Sequence, residues 1–207
     1  MVQTACVDLF CGAGGLSHGL ILEGIPVIAG MDIDPACRHP FEANNGARFI
    51  GEDVSKIGPE ILDNLFGEAE VRILAGCAPC QPFSSYAQRY DTKRSPKWGL
   101  LFEFARLAHG VRPEIVIMEN VPQVAKHTVY DDFVASLKRD GYHIWYEAVD
   151  CSEYGLPQRR RRMVLLASRF GPIELIGRTH ARPVTVREAI GHLPEIHAGG
   201  THPSDRL

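Results

Sequence analysis

No stretch of this 207-residue chain approaches the roughly 18 consecutive apolar residues that a spanning helix needs. Met1 to Phe10 carries no basic run ahead of an apolar segment either, so neither a membrane span nor a leader is read here, and a cytoplasmic protein is expected. Strong charge of one sign is also missing. A net charge of −3 argues against a uniformly basic nucleic-acid coat, although a local basic stripe could still meet phosphates. There is no internal repeat and no low-complexity tract. There is one C-x-x-C pair, Cys77 and Cys80, and no second, while Cys6, Cys11, Cys37 and Cys151 are scattered. A four-cysteine metal site therefore has no frame, and no metal is expected.

What is present is ordinary globular material, 45% hydrophobic and 23% charged, at a length suited to one sizeable core. The six cysteines read as free thiols of a reducing compartment. Short apolar runs alternate with helical patterns along most of the chain. Strands are expected over Thr4 to Phe10, Pro26 to Met31, Arg48 to Ile50, Val71 to Ala75, Glu114 to Met118, His143 to Val149 and Met163 to Ala167. Helices are expected over Leu16 to Glu23, Pro35 to Asn44, Ser55 to Phe66, Leu100 to Ala108 and Tyr130 to Arg139. Such alternation predicts an α/β fold: a doubly wound, mostly parallel sheet with helices on both faces. Beyond Arg169 the pattern weakens.

The chain is organised around Gly76-Cys77-Ala78-Pro79-Cys80-Gln81-Pro82-Phe83-Ser84, which leaves a buried strand and turns over two prolines. A thiol at the carboxyl edge of a strand, ahead of a segment able to offer backbone N–H groups, is well placed to be held as thiolate. The alternatives are a redox pair or half of a zinc site. The polar, basic stretch Tyr86 to Gly99 is too long for a simple connection, and reads either as a lid or as a surface loop.

Other strand ends carry polar groups. Gly12, Gly14 and Gly15 allow close backbone approach to a ligand, and Asp32, about 20 residues on, could accept hydrogen bonds from a ribose diol. The spacing is not G-x-G-x-x-G, which weakens a nicotinamide or flavin reading. Asp53 could accept from an adenine amine, or simply cap a helix. Glu119-Asn120 ends an apolar strand, where apolar neighbours would favour a carboxyl able to donate as well as accept a proton. In Gln158-Arg159-Arg160-Arg161-Arg162, Arg160 and Arg162 would share a face, to steer phosphate or orient Glu119, unless the run is a solvated edge.

These residues together resemble the catalytic half of the DNA cytosine-5 methyltransferase family. Asp8-Leu9-Phe10-Cys11-Gly12-Ala13-Gly14-Gly15-Leu16 resembles its methyl-donor loop, and Pro79-Cys80-Gln81-Pro82-Phe83-Ser84 its nucleophile motif. Glu119-Asn120-Val121 resembles its acid motif, and Gln158 to Arg162 its Q-x-R-x-R motif. The resemblance implies a Rossmann-like fold and S-adenosylmethionine as cofactor, held by Phe10, Gly12, Gly14, Asp32, Ile33, Asp53, Val54 and Pro79. It implies Cys80 as nucleophile, with Glu119, Arg160 and Arg162 as its catalytic partners, and Ser84, Asn120, Val121 and Gln158 on the substrate side. The substrate implied is a cytosine flipped out of double-stranded DNA.

The resemblance divides the chain into a core over 1–183 and a linker over 184–207, with Val184 to Leu193 similar to the helical link ahead of a target-recognition region. That region and the last motifs are absent from the sequence. A second polypeptide carrying them is expected, and an exposed apolar patch to mark its site. The rival readings are an RNA cytosine methyltransferase of the same family, a non-catalytic regulatory subunit, and a C-x-x-C redox protein.

Overall fold

The computed structural model of the chain describes residues 2–79 and 99–202. Seven strands, β1 (Thr4–Leu9), β2 (Val27–Met31), β3 (Arg48–Ile50), β4 (Val71–Gly76), β5 (Ile115–Asn120), β6 (His143–Asp150) and β7 (Arg161–Ser168), form one sheet in the order β3-β2-β1-β4-β5-β7-β6. The helices among the described residues are α1 (Gly15–Leu22), α2 (Arg38–Asn45), α3 (Pro59–Phe66), α4 (Gly99–Val111), α5 (Thr128–Arg139) and α6 (Val186–Ile190). Strands β1 to β5 pair in parallel, and β7 runs antiparallel to β5. The expected doubly wound, mostly parallel sheet is the one observed.

Strand periodicity explains how helices cover both faces. Ala5, Val7 and Leu9 of β1 and Leu74 of β4 pack with the buried sides of α3, α4 and α5, including Leu62, Phe104, Leu107 and Phe133. Cys6 of β1 and Ile73 and Ala75 of β4 point the other way, into a second cluster with Phe41 of α2 and Leu16 and Leu20 of α1. A side chain such as fully buried Phe104 contributes about 1.5–3 kcal/mol through the area it removes from water. The order of winding reverses between β1 and β4, and the crevice outside the carboxyl ends there is where such sheets take ligands.

Several expected elements end elsewhere, for local reasons. The helical stretch from Ser55 is split into a 3-10 turn over Val54–Lys56 and α3, because extended Gly58 breaks the run and Pro59 starts the helix anew. The helix from Pro35 likewise begins as a 3-10 turn, Pro35–Cys37, capped by Asp34. β5 continues through Glu119 and Asn120, because these pair with Val164 and Met163 of β7. Arg161 and Arg162 lie inside β7 rather than ahead of it, beyond the end of the β5 register at Met163.

Packing divides the chain into Met1–Val149 with Arg162–Leu175, and Asp150–Arg161 with Ile176–Leu207. This line differs from the expected division at 183/184. The first unit holds nearly all of the sheet. In the second, the Tyr154 hydroxyl donates to the Ile176 carbonyl (2.9 Å). The N–H groups of Thr179 and His180 both donate to the Glu153 carbonyl. Thr185 and Glu188 form a capping box at the start of α6, whose neighbourhood leaves Val186, Ile190 and Leu193 exposed. Among the described residues no helix is long and apolar enough to cross a membrane.

Candidate active site

The first component is a cavity of about 540 Å³ at the carboxyl ends of the strands. Six residues expected at a cofactor line it: Phe10, Asp32, Ile33, Asp53, Val54 and Pro79. Glu52, Ser55, Gly99, Leu100 and Glu103 complete the wall, and sequence reasoning missed these five. Glu52 stood beside Asp53 and could have been noticed. Glu103 is a mid-helix residue whose approach to the cavity depends on how α4 packs, which no local pattern encodes. The lining joins apolar surface from Phe10, Ile33, Val54, Pro79 and Leu100 to carboxylates from Asp32, Glu52, Asp53 and Glu103. Its volume lies in the range usual for small-molecule sites.

The loop after β1 is shaped by backbone conformations that few residues adopt. Phe10 has φ of 58°, an uncommon value for a residue with a side chain, and such strain gathers at functional loops. Gly14 has φ of 92° and starts α1, where a Cβ would come within 2.2 Å of Asn45 and 2.8 Å of Phe41. Gly12 and Gly14, expected against the ligand, are not among the residues lining the cavity. Gly12 instead donates its N–H to Asp32 Oδ2 (2.9 Å), while Asp34 donates to Oδ1 (2.9 Å). A carboxylate oxygen can accept more than one hydrogen bond, so Asp32 ties the loop ends together and keeps acceptor capacity at the cavity it lines.

Asp53 performs the capping role left open in the sequence: Oδ1 accepts from the Ser55 N–H (3.0 Å) and hydroxyl (2.7 Å). These bonds hold its carboxyl below the usual range, with Lys56 adding a smaller pull. The residue caps and lines the cavity at once. Arg106 braces this wall from α4, pairing with Glu103 (2.6 Å) and donating to the Ile57 carbonyl (2.8 Å). Beneath the loop, Asp8 is 1% exposed and accepts from the Ser17 hydroxyl (2.7 Å). Burial pushes its carboxyl up to about 6 despite the hydrogen bonds from Ser17, with Asp32 raising it further.

The second component lies at the neighbouring strand ends. The register of β4 on β5 sets Gly76 opposite Met118, so Cys77 and Glu119 follow side by side. The Cys77 thiol donates to Glu119 Oε2 (2.9 Å), and Arg162 Nε lies 2.7 Å from Glu119 Oε1. Glu119, expected among apolar neighbours, thus also meets a cation at one oxygen and a thiol at the other. Asn120, expected on the substrate side, is 1% exposed; its amide donates to the Ala78 carbonyl (3.0 Å) and its Oδ1 accepts from the Val121 N–H (2.9 Å). It shapes the turn from Cys77 to Pro79 rather than presenting a free amide. Val121 is partly buried against the main core.

Arg160 and Gln158 belong to the second unit, where the Arg160 carbonyl accepts from the Cys151 N–H (2.8 Å) and the Gln158 N–H donates to the Leu156 carbonyl (2.8 Å). The nucleophile candidate Cys80, Ser84, and all of the expected lid but Gly99 lie outside the described residues. Cys6 and Cys11 are buried free thiols, both pushed well above the usual thiol range by burial. Among the described residues no group of three or more His, Cys, Asp or Glu is arranged to hold a metal ion.

The family model for C-5 cytosine-specific DNA methylases matches residues 4–196, and the chain belongs to that family. It is 44% identical over 208 aligned residues to the type II methylase M.HgiDII of Herpetosiphon aurantiacus, covering 98% of this chain and 58% of that protein. It is 32% identical to the type II methyltransferase M.XorII of Xanthomonas oryzae, covering 94% of this chain and 47% of that protein. Among solved structures, a DNA modification methyltransferase encoded within an E. coli prophage superposes with a TM-score of 0.75 at 26% identity, over 94% of this chain and 56% of that one. The chain thus spans about half the length of these relatives.

Proposed function

We propose that this chain carries the catalytic half of a DNA cytosine-5 methyltransferase, transferring methyl from S-adenosylmethionine to C5 of a flipped cytosine. The observation that carries the reading is the adjacency, in one unit, of a carboxylate-rimmed apolar cavity and the Cys77–Glu119–Arg162 cluster, with Pro79 lining the cavity and Cys80 next in sequence. The cavity fits the donor in chemistry. Carboxylates suit a ribose diol and a cationic sulfonium, and the apolar wall suits an adenine ring. Phe10, Asp32, Ile33, Asp53, Val54 and Pro79 would hold it there, and Glu52 and Glu103 join them. When bound, the donor supplies an electrophilic methyl on sulfur.

The chain's own residues do the rest. The Cys80 thiolate adds to C6 of the base, forming a C–S bond and shifting the 5,6 electron pair so that C5 becomes nucleophilic. Glu119 engages N3 and the exocyclic amine, stabilising the ring as its aromaticity is lost. Arg162 orients Glu119 through Oε1, and Arg160 and Gln158 are proposed to stand on the substrate side. After C5 takes the methyl group, loss of the C5 proton returns the electron pair and expels the thiolate. The base must leave the duplex first, at a cost of a few kcal/mol. A second polypeptide contributing target recognition is part of the proposal, and mixing the two purified chains tests it by the gain of site-specific turnover.

The central test is Cys80→Ser. Methylation of duplex DNA is expected to vanish while S-adenosylmethionine affinity changes less than about 3-fold, because the hydroxyl is a far poorer nucleophile at an unchanged donor pocket. Wild-type protein should form a covalent adduct with DNA containing 5-fluorocytosine, since the fluorine cannot leave as the proton does. Turnover on transfer RNA in place of duplex DNA would move the reading to an RNA substrate. Absence of the adduct, with full activity in Cys80→Ser, would remove Cys80 from the mechanism.

A further inference from the structure

Glu119 must present one face of its carboxylate to the base, and the last torsion of a glutamate side chain is broad, with no deep well to hold it. An anchor at one oxygen leaves that rotation open. Arg162 anchors Oε1 (2.7 Å), and the Cys77 thiol meets Oε2 (2.9 Å) from the neighbouring strand end. Cys77 is itself placed by backbone: its N–H donates to the Leu9 carbonyl of β1 (3.3 Å). The preceding Gly76 is so closely packed that a Cβ there would come within 2.9 Å of Phe104. The backbone that carries the thiol is therefore held in place beside Glu119. We propose that Cys77 is a positioning residue, whose thiol donates to Glu119 Oε2 and, with Arg162 on Oε1, sets the plane in which the carboxylate meets the base.

The choice of thiol has a chemical consequence. An S–H is a weak donor. It holds Oε2 in the waiting enzyme and gives way at small cost when the exocyclic amine of cytosine arrives as a stronger donor to the same carboxylate. Cys77 thereby acts on the rate of the step in which the base is engaged and not on the binding of the methyl donor. This inference rests on the function proposed above.

The test uses the chain together with the second polypeptide proposed above, in four forms: wild type, Cys77→Ala, Cys77→Val and Cys77→Ser. Cys77→Val is close in size to the thiol and donates nothing, which separates a lost hydrogen bond from a hole left in the fold. Single-turnover methylation at saturating donor is expected to slow about 10-fold in Cys77→Ala and Cys77→Val, the scale of a modest loss of orientation. Calorimetric affinity for S-adenosylmethionine and KM for DNA should stay within about 2-fold, and Cys77→Ser should recover to within about 3-fold of wild type, since a hydroxyl donates to the same oxygen. Wild-type rates in both Cys77→Ala and Cys77→Val would overturn the proposal, as would a Cys77→Ser as slow as Cys77→Ala with donor affinity intact. If wild-type protein formed no adduct with 5-fluorocytosine DNA, the function itself would fall and this role with it. An adduct together with unchanged Cys77→Ala and Cys77→Val rates would remove this role alone.

Discussion

Two carboxylates bracket β5, and each meets an arginine from a neighbouring strand. Glu114 precedes the strand and pairs with Arg72 of β4 (3.0 Å), while Glu119 near its far end pairs with Arg162 of β7 (2.7 Å). Their side chains are similarly shielded, 15% and 22% exposed. They differ in what else surrounds them. Arg72 also donates its backbone N–H to Glu114 and its guanidinium to the Val111 and Arg112 carbonyls, and Arg169 adds a second cation. Burial alone would push the Glu114 carboxyl up, yet the hydrogen bonds and charge of Arg72 outweigh it and hold the group below its usual range. Glu119 instead shares its oxygens with a thiol beside the turn that leads to Cys80. One pair closes the amino-terminal edge of the sheet and the other borders the ligand edge, so an ion pair on a strand end does not by itself mark a site. Its companions decide.

Exchanging the two glutamates breaks this comparison most sharply. Glu119→Gln is expected to lower the methylation rate by about 10²–10⁴, the range for a group that moves or holds a proton in the reaction, with thermal midpoint nearly unchanged. Glu114→Gln should do the reverse. It should keep the rate and lose about 1.5–3 kcal/mol of stability in urea titration, the worth of hydrogen bonds to a charged group. Loss of activity in a folded Glu114→Gln would mean that the two edges are coupled.

The cavity sharpens the contrast, because the carboxylates that line it also hold loops. Asp32→Ala should weaken S-adenosylmethionine binding by about 1.5–3 kcal/mol in calorimetry, with Glu119→Gln sparing it. Unchanged affinity would take Asp32 out of the pocket's chemistry and leave it the Gly12 loop alone.

Asp8 gives the smallest and most condition-dependent effect. Its folded pKa of about 6 lies above the ordinary value of 3.8, so the folded state holds the proton more tightly than the unfolded chain. The stability this contributes is complete below about pH 4 and is lost as pH rises through about 6. Asp8→Asn lacks that titration. The stability difference between variant and wild type should therefore shift in the variant's favour by on the order of 2 kcal/mol between pH 4 and pH 8, measured by denaturant unfolding. A difference flat across that range would show that Asp8 ionises without cost.

The first half of the chain was the more legible in sequence. Apolar runs of strand length, the glycine loop and Asp32 fall within a few residues of the elements they serve, and the sheet then places Val7 and Cys6 of one such run in opposite clusters, as strand alternation requires. Asp53 was legible as a cap or as a cofactor contact; the cap is the one observed, and the residue also lines the cavity because a cap at a strand's carboxyl end faces the crevice. The acceptor side was legible only as residue types. Cys77 stood out as half of a C-x-x-C pair, but its contact with Glu119 spans 42 residues of chain. That contact exists because β4 and β5 pair in one register, and Arg162 reaches the same carboxylate because β7 turns antiparallel onto β5. Local sequence determines which residues make a strand, a turn or a cap, since those preferences are satisfied by near neighbours. Which strand ends stand beside one another is decided by burial of the whole sheet between two helical layers, and no segment of the chain carries that choice alone.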